Sequence, residues 1–314
     1  MKHKQKPVVL ITAGDPLGIG PEVTVKALQN PAVRESCTPV VLGDPATLEA
    51  AGFTPDLAEL LPAEMPGAPV LKKTLKREPT RWGGQVSYKA LATACKLAGQ
   101  GRAGAVVTAP ISKQSWTLAR VPYTGHTEFL RAHCGPTALM MFVSGPVRCA
   151  LVSEHFAIKD LHKIITKERI EHTAQDFIHA LKALGVKNPH IALSSLNPHG
   201  SDNGKFGHEE AQTIIPAVAG LRKKKWRAEG PYPVDSLWLA HYKGQFDGLL
   251  CMYHDQALLG LKLAAREPIV HVTAGLNFLR TSPTHGTAFD IAGKNKADAS
   301  GMTAAILFAA RHAR

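Results

Sequence analysis

The sequence predicts an α/β chain built on a largely parallel sheet, and three observations carry that expectation. Short β-rich runs recur through the 314 residues, segments with helical spacing separate them, and Gly and Pro residues mark the junctions. Strands are expected at 8–12, 40–43, 105–108, 149–153, 191–196, 248–253 and 269–273. Helical spacing marks 85–98, 167–184, 209–224 and 299–311. Two helix starts are well marked, because Asp44 can cap a helix that has Pro45 in its first position, and Gly20 precedes Pro21 in the same role. Pro216 falls inside a helical pattern and should bend it or end a run of hydrogen bonds. The Pro- and Gly-rich stretch 61–69 reads as a surface loop. No internal repeat, low-complexity tract or linker divides the chain, which is long enough for two modest domains or one sheet split by a cleft.

Composition narrows the class. With 45% apolar and 20% charged residues, the chain has the balance of a soluble globular protein. The basic N-terminus holds only five apolar residues before Thr12, too few for a secretory core, so it reads as a basic tail entering a strand. No apolar run is long enough to span a bilayer, and the cytoplasm is the expected compartment. The five cysteines are scattered and form no CxxC pair, so buried reduced thiols are expected rather than disulfides or a thiolate zinc site. A net charge of +12 suits nucleic acid, membrane surfaces or small anions. Its densest cluster, residues 222–227, ends a helical segment, where cations oppose the helix dipole. No nucleic-acid motif accompanies it, and phosphorylated small molecules fit the charge equally well.

Four motifs follow predicted strands, where ligand sites of open α/β sheets gather. In ITAGDPLGIGPE (11–22) a glycine turn opens a helix. The spacing is not GxGxxG, and a turn needing positive φ explains it better than an anion site does. In PYTGHTEFL (122–130), Thr127 could cap a helix and His126 would project at its amino end; a surface histidine is the plainer reading. His155, His199 and His254 each follow a strand, and three converging imidazoles would hold a divalent metal, with Asp255 to orient one of them. With 15 histidines in the chain, chance placement accounts for the pattern equally well. The strongest motif, LRTSPTHGTAFDIAGKNKAD (279–298), opens on Arg280, passes through small-residue turns and leads to an alanine-rich helix. Such a loop lets backbone approach a flat ligand.

Taken together, TAGDPLGIGPE, GHTEFL, LNPHG, YHDQALLGLK and RTSPTHGTAFDIAGK resemble, in order and over nearly the whole length, the 4-hydroxythreonine-4-phosphate dehydrogenase family. The segment HGTAFDIAGKNKAD is similar to the adenine-side NAD loop of isocitrate and isopropylmalate dehydrogenases. The resemblance implies their two-domain fold with a cleft, an NAD-binding side at 1–122 with 272–314, and a metal, substrate and dimerisation side at 123–271. It implies a divalent metal (zinc, magnesium or cobalt) on His155, His199 and His254, and NAD, with NADP as the alternative, at His285, Gly286, Thr287, Ala288, Asp290 and Gly293. It implies substrate contacts at His126, Thr127, Lys262 and Arg280, with His126 and Asp235 in proton transfer. A homodimer whose active sites draw ligands from both chains is a further implication.

The implied reaction is oxidation and decarboxylation of 4-phosphooxy-L-threonine to 3-amino-2-oxopropyl phosphate, in pyridoxal 5′-phosphate biosynthesis. The sequence departs from the family where an asparagine stands in a VN(I/V)T context, since IVHVTAG places His271 at that substrate position. The family's NPHAGE also reads NPHGSD here. D-threonate or D-erythronate 4-phosphate is therefore the alternative substrate, and retention of GHTE favours phosphorylated substrates over the aromatic cis-dihydrodiols of a distant branch. A non-catalytic anion or nucleic-acid binder using the positive charge is the alternative of another class, against which the intact histidine set, Lys262 and Arg280 stand.

Overall fold

A computed structural model describes residues 6–71, 75–135 and 137–313, with Ala264 described by its backbone only. The basic tail at residues 1–5 lies outside the described residues. In chain order the elements are β1 (Val8–Thr12), α1 (Gly20–Gln29), α2 (Pro31–Ser36), β2 (Thr38–Gly43), α3 (Pro45–Ala50), β3 (Glu59–Pro62), α4 (Arg81–Gly99), β4 (Ala105–Thr108), α5 (Lys113–Leu118) and α6 (His126–His133). Then come β5 (Leu139–Ser144), β6 (Val147–Leu151), α7 (Leu161–Ile164), α8 (Lys167–Ala183), β7 (His190–Ser194), α9 (Ile215–Lys223), β8 (Arg227–Tyr232), α10 (Val234–Tyr242), β9 (Gly248–Cys251) and α11 (His254–Ala264). The chain closes with β10 (Val270–Ala274), β11 (Leu279–Pro283) and α12 (Ser300–His312).

Contacts divide the chain into a unit of Met1–Ala138 with Val270–Arg314 and a unit of Leu139–Ile269. The boundary differs from the expected 122/123 and 271/272. Residues 126–134 join the first unit because Phe129, Leu130 and Cys134 bury against Leu91, Cys95 and Trp116 of α4 and α5. His271 also falls in the first unit, on β10.

In the first unit the strand order is β3-β2-β1-β4-β11-β10. All neighbours run parallel except β10 and β11, which pair antiparallel with Thr273 opposite Arg280. The β-branched runs VVLIT and AVVT are buried on both faces, as strands between helical layers require. Leu10, Leu42, Val86 and Val106 share one core with Trp82 of α4. The second unit orders its strands β5-β6-β9-β7-β8, with β5 and β6 antiparallel and the rest parallel. Its core joins Phe142, Leu151, Leu249, Trp238 and Leu261. Each such aliphatic side chain contributes roughly 1.5–3 kcal/mol by leaving water.

Local chemistry sets the boundaries. Asp44 Oδ1 accepts from the Thr47 amide at 2.9 Å and Pro45 opens α3, as expected. Ahead of Pro216 the chain widens into a π turn at Glu210–Ile214 before α9 begins, because the proline ring cannot sit in an unbroken α-helix. Residues 61 and 62 belong to an edge strand, β3, rather than to a loop, and Arg280 stands on β11 rather than in one. Strands β5, β8 and β11 were hidden by their companions in sequence, β8 by the basic cluster before it.

The glycine turn after β1 is positioned by contact. Gly14 has φ +74°, and a side chain there would meet the Pro110 carbonyl oxygen. The carboxylate of the buried Asp15 accepts from Ser115 Oγ at 2.6 Å and from the Leu17 amide at 3.1 Å, and burial raises its pKa. Gly14→Ala is expected to cost more than about 3 kcal/mol, because strain and overlap add. Gly67, at φ +84° with nothing within 4 Å of an added Cβ, is the control, and Gly67→Ala should cost about 1 kcal/mol. Calorimetric melting of both variants separates the two contributions; equal shifts would refute the steric account.

Candidate functional site

In the first unit the site forms around one buried cation. Arg280 is 2% exposed, and its guanidinium donates to Thr108 Oγ1 at 2.6 Å, Thr273 Oγ1 at 3.0 Å and His271 Nδ1 at 3.2 Å. Its Nε is buried without a hydrogen-bond partner, and no carboxylate pairs with it among the described residues. Burial pulls its pKa down to about 10, which leaves it charged at neutral pH. A buried charge without a counter-charge costs several kcal/mol, and a bound anion removes that cost. Since arginine only donates, Nδ1 of His271 is the acceptor in their contact. Ser282 Oγ lies 3.3 Å from the same nitrogen.

His126 opens α6 beside this cation. Its Nε2 is buried and has no hydrogen-bond partner among the described residues, and its ring meets Trp116 edge-on at 6.1 Å. Burial pushes its pKa well below the usual histidine value, and the nearby charge of Arg280 adds to the effect. It is therefore a neutral imidazole near a buried cation, not the hydrogen-bonded surface histidine of the plainer reading. Thr127 does not cap the helix, since Gly125 occupies the N-cap and Glu128 Oε2 accepts from the Thr124 amide at 2.6 Å. The helix starts two residues earlier than the capping pattern suggests. Thr127 is half-buried in the first turn.

The fourth motif closes onto the first. The Ile19 amide donates to Thr287 O at 2.9 Å, and Gly18 lets the Thr287 backbone approach. Glu22 Oε1 accepts from the Ala297 amide at 2.7 Å, and Lys26 Nζ donates to Glu22 Oε1 at 2.8 Å and Ala297 O at 2.9 Å. Of the amides leading into α1, that of Gly18 goes to Asp15 O and that of Ile19 to Thr287 O, and the positive φ of Gly14 agrees with the turn reading of the first motif. Ala288 and Gly293 adopt φ +40° and +73°, and Gly286 and Asp290 are exposed. His285 Nε2 is buried with no partner among the described residues, an unmet group that a ligand's polar edge could satisfy.

In the second unit, the His155 and His254 rings lie 5.4 Å apart at 40°. Asp255 Oδ1 accepts from His254 Nδ1 at 2.8 Å, which leaves Nε2 as the ring's donor atom for a metal. The ends of β7 and β9 are tied by Gln256, whose Oε1 accepts from Ser194 Oγ at 2.8 Å and the Met252 amide at 3.0 Å while Nε2 donates to Ser195 O at 2.8 Å. Ser153 Oγ donates to Met252 O at 2.7 Å. His199 is exposed, in a left-handed turn after β7. Among the described residues, no group of three or more His, Cys, Asp or Glu side chains is placed to hold a metal ion. The expected triad is corrected to this extent: one chain brings the His155 and His254 rings together, and His199 stands in the turn after β7. The chemistry of the pair suits a divalent ion. Asp235 and Lys262 are exposed, on α10 and α11.

Several contributors were not singled out in the sequence. Thr108 and Thr273 carried the signal of standing at the ends of predicted strands. Gln256 and Glu210 carried none, because their importance lies in bonds to residues far along the chain. The basic cluster is used by the fold: Lys224 pairs with Glu171 at 2.9 Å, and Arg222 and Arg227 donate to backbone carbonyls of Ala228 and Asn188. All five cysteines are buried and unbridged. No described helix is long and apolar enough to cross a membrane.

Comparison with known proteins agrees with this arrangement. Residues 35–309 match the family model of the pyridoxal phosphate biosynthetic protein PdxA. A 4-hydroxythreonine-4-phosphate dehydrogenase of Geobacter metallireducens is 39% identical, over 98% of this chain and 96% of its own. A Symbiobacterium thermophilum protein provisionally named a D-threonate 4-phosphate dehydrogenase is 34% identical over 98% and 97%. The crystal structure of a 4-hydroxythreonine-4-phosphate dehydrogenase from Klebsiella pneumoniae superposes with TM-score 0.86 at 31% identity, covering 98% of this chain and all of that one. A β-decarboxylating dehydrogenase from Thermococcus kodakarensis shares the fold at TM-score 0.50 and 13% identity, over 96% of this chain and 81% of its own. Fold and site define an enzyme of the dehydrogenase class. The chain belongs to the pyridoxal phosphate biosynthetic protein PdxA family.

The depressed pKa of His126 has a consequence for stability. The folded protein keeps this ring neutral while the unfolded chain binds a proton near pH 6.5. The contribution is therefore fully present above about pH 6.5 and is lost as pH falls toward the depressed folded value. In NMR titration the His126 ring should stay neutral as the pH falls through the ordinary histidine value of about 6.5, and Arg280→Ala should move its pKa upward. Titration near pH 6.5 in the unaltered protein would contradict the burial account.

Proposed function

We propose that the chain is an NAD-dependent 4-hydroxythreonine-4-phosphate dehydrogenase of pyridoxal 5′-phosphate biosynthesis. It oxidises the secondary alcohol of 4-phosphooxy-L-threonine, and the resulting β-keto acid loses carbon dioxide to give 3-amino-2-oxopropyl phosphate and NADH. Beyond family membership, the observation that carries this reading is Arg280, a buried cation with no protein counter-charge, because a substrate anion is what completes it.

When bound, a divalent ion (zinc, magnesium or cobalt) supplies Lewis acidity toward the reacting oxygen, and NAD supplies the hydride acceptor. His155 and His254 would hold the ion, and residues 285–293, with Gly286, Asp290 and the unmet His285 Nε2, would hold the dinucleotide. Arg280 binds an anionic end of the substrate and, with Thr127 and His271 nearby, fixes its orientation. The neutral Nε2 of His126 can take a proton from an alcohol and return one to carbon, which a permanently protonated ring could not do. Asp235 is the second proton-transfer group, and Lys262 a further anion contact.

A homodimer is part of the proposal. Leu239, Leu259 and Leu263 on α10 and α11 are 64%, 64% and 80% exposed, an apolar face that a second copy would cover. Dimerisation would bring exposed residues such as Asp235, Lys262 and His199 to a neighbour's site, with His199 completing the histidine pair of the other chain. One observation favours a second substrate. The Arg280 contact is made by His271, where the family has asparagine, so D-threonate or D-erythronate 4-phosphate remains the competing substrate.

Two experiments test the proposal. NADH formation should be faster with 4-phosphooxy-L-threonine than with D-threonate 4-phosphate, cease in chelator and return with zinc, magnesium or cobalt. Arg280→Ala should raise KM by roughly 100-fold, the scale of a buried charged contact. Full activity without metal, or an unchanged KM, would remove the corresponding part. Separately, Leu263→Asp should convert a dimer in light scattering to a monomer and abolish turnover; a wild-type monomer with full activity would dismiss the shared site.

A further inference from the structure

The turn that carries His199 is strained, and a buried carboxylate holds it. Five successive residues, His199, Gly200, Ser201, Asp202 and Asn203, have φ of 53°, 62°, 66°, 45° and 56°. Four of them are not glycine, and each such residue in this region costs on the order of 1 kcal/mol or more. Turns of this kind persist only where surrounding bonds determine them. Glu210 fixes the two residues that lead into the turn. It is 2% exposed, and its Oε1 accepts from the Leu196 amide at 2.9 Å and the Asn197 amide at 2.8 Å. Asn197 Nδ2 donates to Glu210 Oε2 at 2.9 Å and to Glu209 Oε2 at 2.7 Å. Gly207, at φ +127°, leaves the room this amide group needs, since a Cβ there would stand 2.6 Å from Asn197 Nδ2. Glu210 itself begins the π turn ahead of Pro216, and the wider turn sets the position from which its carboxylate reaches the 196–197 amides. Widened turns of this sort are frequent at functional sites.

We propose that Glu210 is the positioning residue for His199, fixing through the Leu196 and Asn197 amides the left-handed turn that presents this imidazole to a metal. The proposal rests on the reading of His199 as a ligand. Glu210 touches neither metal nor substrate. Its role is to hold the turn in place before the ion arrives, so that binding does not have to order the loop.

The test uses the full-length protein stripped of metal, with cobalt(II) as the probe. Cobalt affinity by calorimetry and absorption, together with amide exchange over 196–203, is compared for wild type, Glu210→Ala, Glu210→Gln and His199→Ala. Glu210→Ala should lose amide protection at 196–197 and weaken cobalt binding by roughly 10–100-fold, the usual effect of removing an outer partner of a ligand. Glu210→Gln keeps one oxygen for the two amides but turns an NH2 toward Asn197, and should fall between wild type and Ala. It carries the test if the alanine variant does not fold. NADH binding, read by fluorescence, should stay within twofold in all variants. Cobalt affinity kept by Glu210→Ala but lost by His199→Ala overturns the positioning role alone. Affinity kept in both, or no cobalt bound by the wild type, overturns the ligand reading and the proposal with it.

Discussion

The first unit depends on keeping one guanidinium charged where water does not reach it. Arg280 could not be tolerated at 2% exposure on a strand without the two threonine hydroxyls and the imidazole nitrogen that receive its protons. Those acceptors exist in that place because β10 and β11 turn back on each other. The antiparallel pair sets Thr273 opposite Arg280, and the parallel pairing of β11 with β4 brings Thr108 within reach. A wholly parallel sheet would need a long crossover between β10 and β11. The one antiparallel step in this unit therefore brings His271 and Thr273 to Arg280 from nearby in sequence, while the parallel pairing with β4 brings Thr108 from far along the chain.

The same charge explains the state of His126. An imidazole buried near a cation loses its proton, which makes it an acceptor at neutral pH rather than a second positive charge. Electrostatics thus leaves one of the two groups charged and the other neutral, although both side chains could carry positive charge in water. His271 accepts from the same guanidinium, so its Nδ1 lone pair is committed.

Much of this was legible in the sequence where the signal was local. The strands at 8–12 and 105–108 appear at the predicted residues, and the Asp44–Pro45 start of α3 follows from capping chemistry. Arg280, the histidines and the cofactor-like loop were legible as motifs. Not legible was anything that depends on distant partners. The sequence of β11 contains Arg, Thr, Ser and Pro, and only its position between β10 and β4 makes it a strand. Glu22 lies in the first motif and Ala297 in the last, and no pattern within either announces their hydrogen bond. The reading of His126 as a surface group failed for the same reason, since burial comes from Trp116 and from strands more than a hundred residues later.

Net charge is the least informative of the signals for this reason. The excess of twelve positive charges draws attention to residues 222–227, yet Lys224 is paired with Glu171 and two arginines of the cluster end on backbone carbonyls. In water such exposed cations interact weakly and are screened within about 8–10 Å. One cation removed from water acts at far lower effective dielectric, and its attraction for a phosphate or carboxylate exceeds that of several surface lysines. The proposed recognition of a small anion therefore rests on where a charge is placed, and the fold that places it spends its acceptors on a single arginine.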